Sequence, residues 1–139
     1  KLPKTSAPSQ GEMTAFFKKY LDEGYDIVFT GISSKMSATY QIACLVKQEL
    51  APDRIFVVDS GNLSTGIGLL LLKATKFRDM GYSAMQIANE LENIVPRVKA
   101  QFVIDTLDYL YKGGRCSTIS YAFSKLDLLF KMHSKDNPA

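Results

Sequence analysis

Short apolar runs that alternate with helix-length amphipathic stretches constrain this chain more than any other feature. Residues 25–30 and 54–58 are rich in Ile, Val and Phe, as strands buried on both faces are. A third run, residues 100–105, reads the same way. Strands that alternate with helices predict an α/β fold, with a mostly parallel sheet flanked by helices on both faces. The expected order is helix, strand, helix, strand, helix, helix, strand, helix, helix. Such a sheet usually opens on a strand, so a helix in first place leads us to expect that an N-terminal piece precedes it.

The helices carry their own punctuation. Residues 1–8 hold two prolines and read as an extended lead-in. Ser9 and Glu12 have the spacing of a capping box, and Met13, Phe16, Phe17, Tyr20 and Leu21 form one apolar stripe that Gly24 ends. Residues 32–39 make a hydroxyl-rich connection into a helix that reaches about Leu50. Its apolar face is expected at Ala38, Ile42, Leu45, Val46 and Glu49, and Pro52 and Asp53 break it. After a turn at 59–62, Ser64 or Thr65 opens a helix over 66–80, closed by Gly81. Ser83 and Gln86 form a second capping box, and Pro96 ends or kinks the helix that follows. A helical turn at 106–112 ends at Gly113 and Gly114, a last helix runs over 117–130, and residues 134–139 form a polar tail.

Composition narrows the function. At 139 residues the chain can bury one sizeable core. Apolar residues at 46% and charged residues at 22% exclude a disordered chain. Seventeen basic residues against fourteen acidic give a net charge of +3, too mild and too scattered for a nucleic-acid partner. Two cysteines, Cys44 and Cys116, exclude a disulfide scaffold and fit a reducing compartment. Cys44 reads as a packed thiol, and Cys116 beside Arg115 is a minor candidate nucleophile with no His or Asp partner nearby in sequence. His133 is the single histidine, which leaves no set of imidazoles for a metal; no metal and no cofactor is expected. The longest apolar run, residues 67–72 with Gly68 inside it, is far too short to span a bilayer. The expectation is a soluble, cytoplasmic chain without stable membrane insertion.

Chemistry in such a sheet sits where strands end and helices begin. Ser33, Ser34, Ser37 and Thr39 crowd the first of these loops. Hydroxyls beside a helix N-terminus suit a carboxylate or phosphate, and Ser37 as a plain N-cap explains the same pattern. The loop from Asp59 to Ser64 lacks the second glycine of a nucleophile elbow and reads as a turn with a cap. Gly66 and Gly68 lack the third glycine of a dinucleotide fingerprint and suit a close backbone approach. Gly113, Gly114 and Arg115 offer a flexible backbone beside a planar fork for an anion, or a helix cap followed by a surface arginine. Asp105 and Asp108 read as solvation and capping. No catalytic residue is assigned. A small α/β hydrolase or transferase acting on an anionic substrate, with Ser37 or Ser64 as nucleophile and Arg115 on the anion, is the alternative. A serine nucleophile needs a positioned base, and none stands near either in sequence.

Four stretches taken together carry a family likeness: Pro-Lys-Thr-Ser-Ala-Pro-Ser at 3–9, Ile-Ser-Ser-Lys-Met-Ser-Ala-Thr-Tyr at 32–40, Val-Asp-Ser at 58–60, and Thr-Leu-Asp-Tyr-Leu-Tyr-Lys-Gly-Gly-Arg at 106–115. In their order and spacing the chain resembles the DegV family of bacterial fatty-acid-binding proteins, over residues 1 to about 124. The resemblance implies a partial, truncated DegV-like α/β domain over 1–133, with the family's opening strand and second domain lying outside it. It implies a long-chain fatty acid as ligand, presented to a separate fatty-acid kinase subunit that makes the acyl phosphate, and no catalysis by the chain itself. By position, Thr5 and Ser37 bind the carboxylate, with Ser34 and Thr39 as neighbours, while Gly113, Gly114 and Arg115 face the kinase or the transferred phosphate. Leu63, Ile67, Leu70, Leu71 and Phe102 are candidate lining for the acyl chain, or ordinary core. The family usually has glycine where this chain has Ala38, and residues 126–139 diverge from its pattern. His133 does not fall at the position of the family's carboxylate-side histidine. Apolar surface meant for a missing partner implies self-association.

Overall fold

The computed structural model describes residues 5–101, 106–118, 120 and 122; Phe102, His133, most of the expected strand over 100–105 and most of the last helix lie outside them. The chain divides into two compact units, residues 1–100 and 101–139. The first unit runs α1 (Gln10–Asp22), β1 (Ile27–Gly31), α2 (Thr39–Leu50), β2 (Ile55–Asp59), α3 (Thr65–Asp79) and α4 (Ala84–Ile94), then a 3-10 turn over Val95–Arg97. The second contains α5 (Asp108–Lys112).

β1 and β2 pair in parallel, Ile27 opposite Ile55 through Gly31 opposite Asp59, with α2 as the crossover. Alternation along the strands sends side chains to two cores. Ile27, Phe29, Ile55 and Val57 pack with Met13 and Phe17 of α1 and Ala43 and Val46 of α2. Val28, Phe56 and Val58 pack with Leu70 of α3 and Ile87, Ala88 and Leu91 of α4. Both faces of each strand are therefore covered, which is why the strands are unbroken apolar runs. The expected α/β class, with helices on both faces of a parallel sheet, is the observed one.

Several sequence expectations are corrected. The first strand starts at Ile27; residues 25 and 26 are an irregular link ahead of it, held by Arg54, whose Nε donates to Asp26 Oδ1 (2.9 Å) and whose Nη2 donates to the Tyr25 carbonyl (2.7 Å). The buried face of α2 is Ile42, Ala43, Val46 and Leu50, whereas Leu45 is 54% exposed. Leu45 and Ala43 lie on opposite sides of the helix, and the small Ala43 is the one turned to the sheet. Phe16, on the expected stripe of α1, is 57% exposed while Phe17 is fully buried. α2 has Ala38, not Ser37, at its N-cap, without a side-chain cap bond.

Other local signals are met in full. Both capping boxes form, Ser9 with Glu12 and Ser83 with Gln86. Gly24 and Gly81 close α1 and α3 with φ of +90° and +85°, a conformation glycine adopts without cost. After Gly81 the chain returns Tyr82 N–H to the Phe77 carbonyl (3.0 Å) and stacks the two rings 5.3 Å apart. Among the described residues, no helix is long and apolar enough to cross a membrane.

Gly66, in the first turn of α3, does permit a close approach. A Cβ there would lie 2.5 Å from Asn62 Oδ1 and 2.8 Å from Asn62 Cβ. Asn62 has little room to move: its Nδ2 donates to the carbonyls of Ser60 (2.9 Å) and Val98 (3.0 Å), and its Oδ1 accepts from Ala100 N–H (3.3 Å). Gly68 has no atom within 4 Å of such a Cβ. Gly66→Ala is therefore expected to cost about 1–3 kcal/mol through overpacking, read from urea unfolding. Gly68→Ala serves as the control, with no loss expected from contact.

Candidate functional site

Because the strands are parallel, Gly31 and Asp59 end side by side and the loops after them open from one edge of the sheet. The loop after β1 carries Ser33, Ser34 and Ser37 into the N-terminus of α2. Most of its amides are already committed. Ser33 N–H donates to the Asn62 carbonyl (2.9 Å), Ser34 N–H to Asp59 Oδ1 (3.0 Å), and Lys35 N–H to Ser33 Oγ (3.3 Å). Met36 N–H and Ser37 N–H both donate to the Ser33 carbonyl (2.9 and 3.2 Å). This loop is therefore not a cradle of backbone amides for a phosphate; its means of holding an anion are hydroxyls and the first turn of α2.

Those hydroxyls are paired. Ser37 Oγ and Thr39 Oγ1 lie 2.9 Å apart, and Ser37 Oγ also accepts from Thr39 N–H (3.3 Å). Two hydroxyls carry two protons and one is spent between them, so in either arrangement one remains to donate outward. It stands where the amides of Thr39, Tyr40 and Gln41 have no helical carbonyl ahead of them and the helix dipole favours negative charge. Both side chains are half-buried. A carboxylate brought here meets a hydroxyl donor and a positive helix end with no basic side chain needed.

Asp59 sets the back of the site. Its Oδ1 accepts from Ser34 N–H and also from Gly61 N–H (3.1 Å). Burial pushes its carboxyl up, but hydrogen bonds from the Ser34 side chain and from the Gly61 and Ser34 amides, with the positive charge of Lys35, outweigh this. The net shift is below the ordinary 3.8. The ionised group favours the fold above that value, and its contribution is lost as pH falls through the lowered folded pKa. Acid unfolding of Asp59→Asn is therefore expected to show a shallower fall in stability below pH 3.8 than wild type. An identical slope would contradict the assignment.

Ser34 is directed to Asp59. Thr5 is exposed, four residues ahead of the α1 cap, and no hydrogen bond among the described residues joins it to Ser37 or Thr39. Gln10 Nε2 donates to Glu49 Oε1 (2.7 Å), tying the start of α1 to the last turn of α2. Leu70 is fully buried in the second core, Leu63 and Ile67 are half-buried, and Leu71 is exposed. Ser64 has φ of +51° and no side-chain cap bond, and Ser37 bonds a second hydroxyl, so neither nucleophile of the alternative reading has a base among these partners. Cys44 and Cys116 are free, half-buried thiols. Among the described residues no group of three His, Cys, Asp or Glu side chains could hold a metal. Sequence reasoning missed Asp59 and Asn62 as organisers of the site; the signal was their place at the end of β2 and in the loop that follows it.

In the second unit, α5 closes on Gly113 and Gly114. Gly114 has φ of +71°, its N–H donates to the Tyr111 carbonyl (3.0 Å), and Arg115 N–H donates to the Leu110 carbonyl (2.8 Å). This is the helix-cap geometry that two glycines allow. Arg115 is exposed, with Nη1 on the Gly113 carbonyl (3.0 Å).

The sequence profile of the DegV family, described as "Uncharacterised protein, DegV family", matches residues 1–132. The chain belongs to the DegV family. A DegV domain-containing protein of Clostridium acetobutylicum is 44% identical over 115 residues, which cover 83% of this chain and 41% of that protein. A solved DegV lipid-binding protein of Thermotoga maritima superposes with a TM-score of 0.75 at 33% identity, over 83% of this chain and 42% of that one. A second Thermotoga maritima structure, of a protein described by its fatty acid binding function, gives a TM-score of 0.75 at 32% identity over 84% and 43%. The chain thus spans less than half the length of these DegV relatives.

Proposed function

We propose that this chain binds a long-chain fatty acid and holds its carboxylate at the Ser37–Thr39 hydroxyl pair. The observation that carries the reading is that pair, 2.9 Å apart at the start of α2, in a DegV chain whose solved relatives include fatty-acid-binding proteins. A buried carboxylate is costly unless hydrogen-bonded, and the outward hydroxyl with the helix end supplies that. Most of the affinity comes from the acyl chain, at about 0.8 kcal/mol per buried methylene. Thr5 joins the carboxylate as a further donor.

The chain acts as a carrier in the cytoplasm and performs no catalysis of its own. It presents the carboxylate to a separate fatty-acid kinase that forms the acyl phosphate, with Gly113, Gly114 and Arg115 on the side that meets the kinase. The exposed Leu69, Leu71 and Leu72 of α3 support self-association of the chain. The test of the central reading is mass spectrometry of lipid released from the denatured protein. A stoichiometric long-chain fatty acid is expected, and a preparation that neither carries nor takes up one overturns it.

A further inference from the structure

The Ser37–Thr39 pair does not hold itself in place. Asp59 Oδ1 grips Ser34 N–H (3.0 Å) and Gly61 N–H (3.1 Å), joining the loop after β1 to the loop after β2. The Asn62 carbonyl grips Ser33 N–H (2.9 Å), and Ser60 Oγ accepts from Asn62 N–H (3.0 Å) while donating to the Gly31 carbonyl. Ser33 in turn accepts the amides of Met36 and Ser37 through its carbonyl. The backbone position of Ser37 therefore descends from Ser33 and Ser34, and theirs from residues on the neighbouring strand end. Ser33 and Ser60 are both buried, so water does not readily replace the bonds these two residues make.

We infer that Asp59 is a positioning residue for the carboxylate site: it clamps Ser34 to Gly61 and so fixes the Ser33–Ser37 turn that presents the Ser37 and Thr39 hydroxyls. It has no hydrogen bond to either hydroxyl, and acts through the turn alone. The inference rests on the fatty-acid reading above for its ligand. A carboxylate oxygen that accepts two amides is a charge-assisted link. An asparagine Oδ1 in its place keeps both acceptor sites, whereas alanine keeps none.

The experiment compares the full chain with Asp59→Ala and Asp59→Asn by titration with a fluorescent long-chain fatty acid and by amide hydrogen exchange without ligand. Asp59→Ala is expected to lose about tenfold in affinity, the scale of one charge-assisted hydrogen bond. Its Ser34 and Ser37 amides should exchange faster while Ala88 and Leu91 of α4 stay protected. Asp59→Asn is expected to recover most of the affinity, which a general loss of stability would not allow. Unchanged affinity in Asp59→Ala, no recovery in Asp59→Asn, or equal loss of protection across α4 overturns the inference. If wild type does not bind the probe, the fatty-acid reading fails. The clamp is then decided by exchange, and unchanged Ser37 protection in Asp59→Ala removes it.

Discussion

Ser37→Ala combined with Thr39→Val is expected to weaken fatty-acid binding by about a hundredfold while leaving the fold in place. The two substitutions remove both hydroxyls of the pair that lies 2.9 Å apart at the head of α2. Hydrogen bonds to a charged group contribute about 1.5–3 kcal/mol each, and a factor of ten in affinity is about 1.4 kcal/mol. One such bond lost outright, with the carboxylate left under-solvated beside it, accounts for the expected change. Valine keeps the branched shape of Thr39, and both side chains are only half-buried, so the cost to folding is limited to the bond between the two hydroxyls and the Ser37 Oγ bond from Thr39 N–H. Titration with a fluorescent fatty acid reads the affinity and thermal unfolding reads the fold. Unchanged affinity with an unchanged melting temperature would place the carboxylate elsewhere. A further drop on adding Thr5→Val is the expected sign that Thr5 joins the site.

Phe17→Ala is expected to destabilise the first unit by about 3–5 kcal/mol, the usual cost of emptying a buried phenylalanine site. Phe17 is 1% exposed and meets Phe29 of β1 edge to face, with ring centroids 5.5 Å apart. With Phe29, its neighbours Met13, Ala43, Val46 and Ile55 come from two helices and two strands, so the cavity lies where four elements meet and no single one can collapse into it. Against a typical total of about 5–15 kcal/mol, the loss is a large share of the stability. Phe16→Ala is the matched control. Phe16 is 57% exposed and its nearest ring, Tyr20, is a half-exposed neighbour one turn along the same helix. Its replacement is expected to cost less than about 1 kcal/mol. Equal losses in chemical denaturation would contradict the packing described for α1.

These two phenylalanines show where sequence reading reaches its limit. Both sit on the apolar stripe of α1, and helical spacing alone assigns both to the core. Leu45 and Ala43 in α2 show the same limit from the other side. The more apolar residue faces out, because the smaller one allows the helix to lie close to the sheet. Signals that depend on a few neighbouring residues were legible throughout: the Ser9 and Ser83 capping boxes, the glycine stops, the turn at Pro52, and the two strands to within two residues. The crowding of hydroxyls that marks Ser37 and Thr39 was equally local. The roles of Asp59 and Asn62 were not, because their partners Ser34 and Ser33 lie 25 and 29 residues away along the chain. Only the parallel pairing of β1 with β2 makes them neighbours.

By itself, then, the sequence determined the class of the fold and the chemistry available at the end of β1. Periodicity, caps and hydroxyl content are short-range properties written in adjacent residues. The tertiary structure alone decided which side of each helix is buried and that Gly66 must stay small against Asn62. It also decided that a carboxylate on the neighbouring strand end accepts the Ser34 amide, in the loop ahead of the hydroxyl pair. Those are long-range outcomes of packing two helices on each side of one pair of strands, where a residue's surroundings are set by what the fold brings to it.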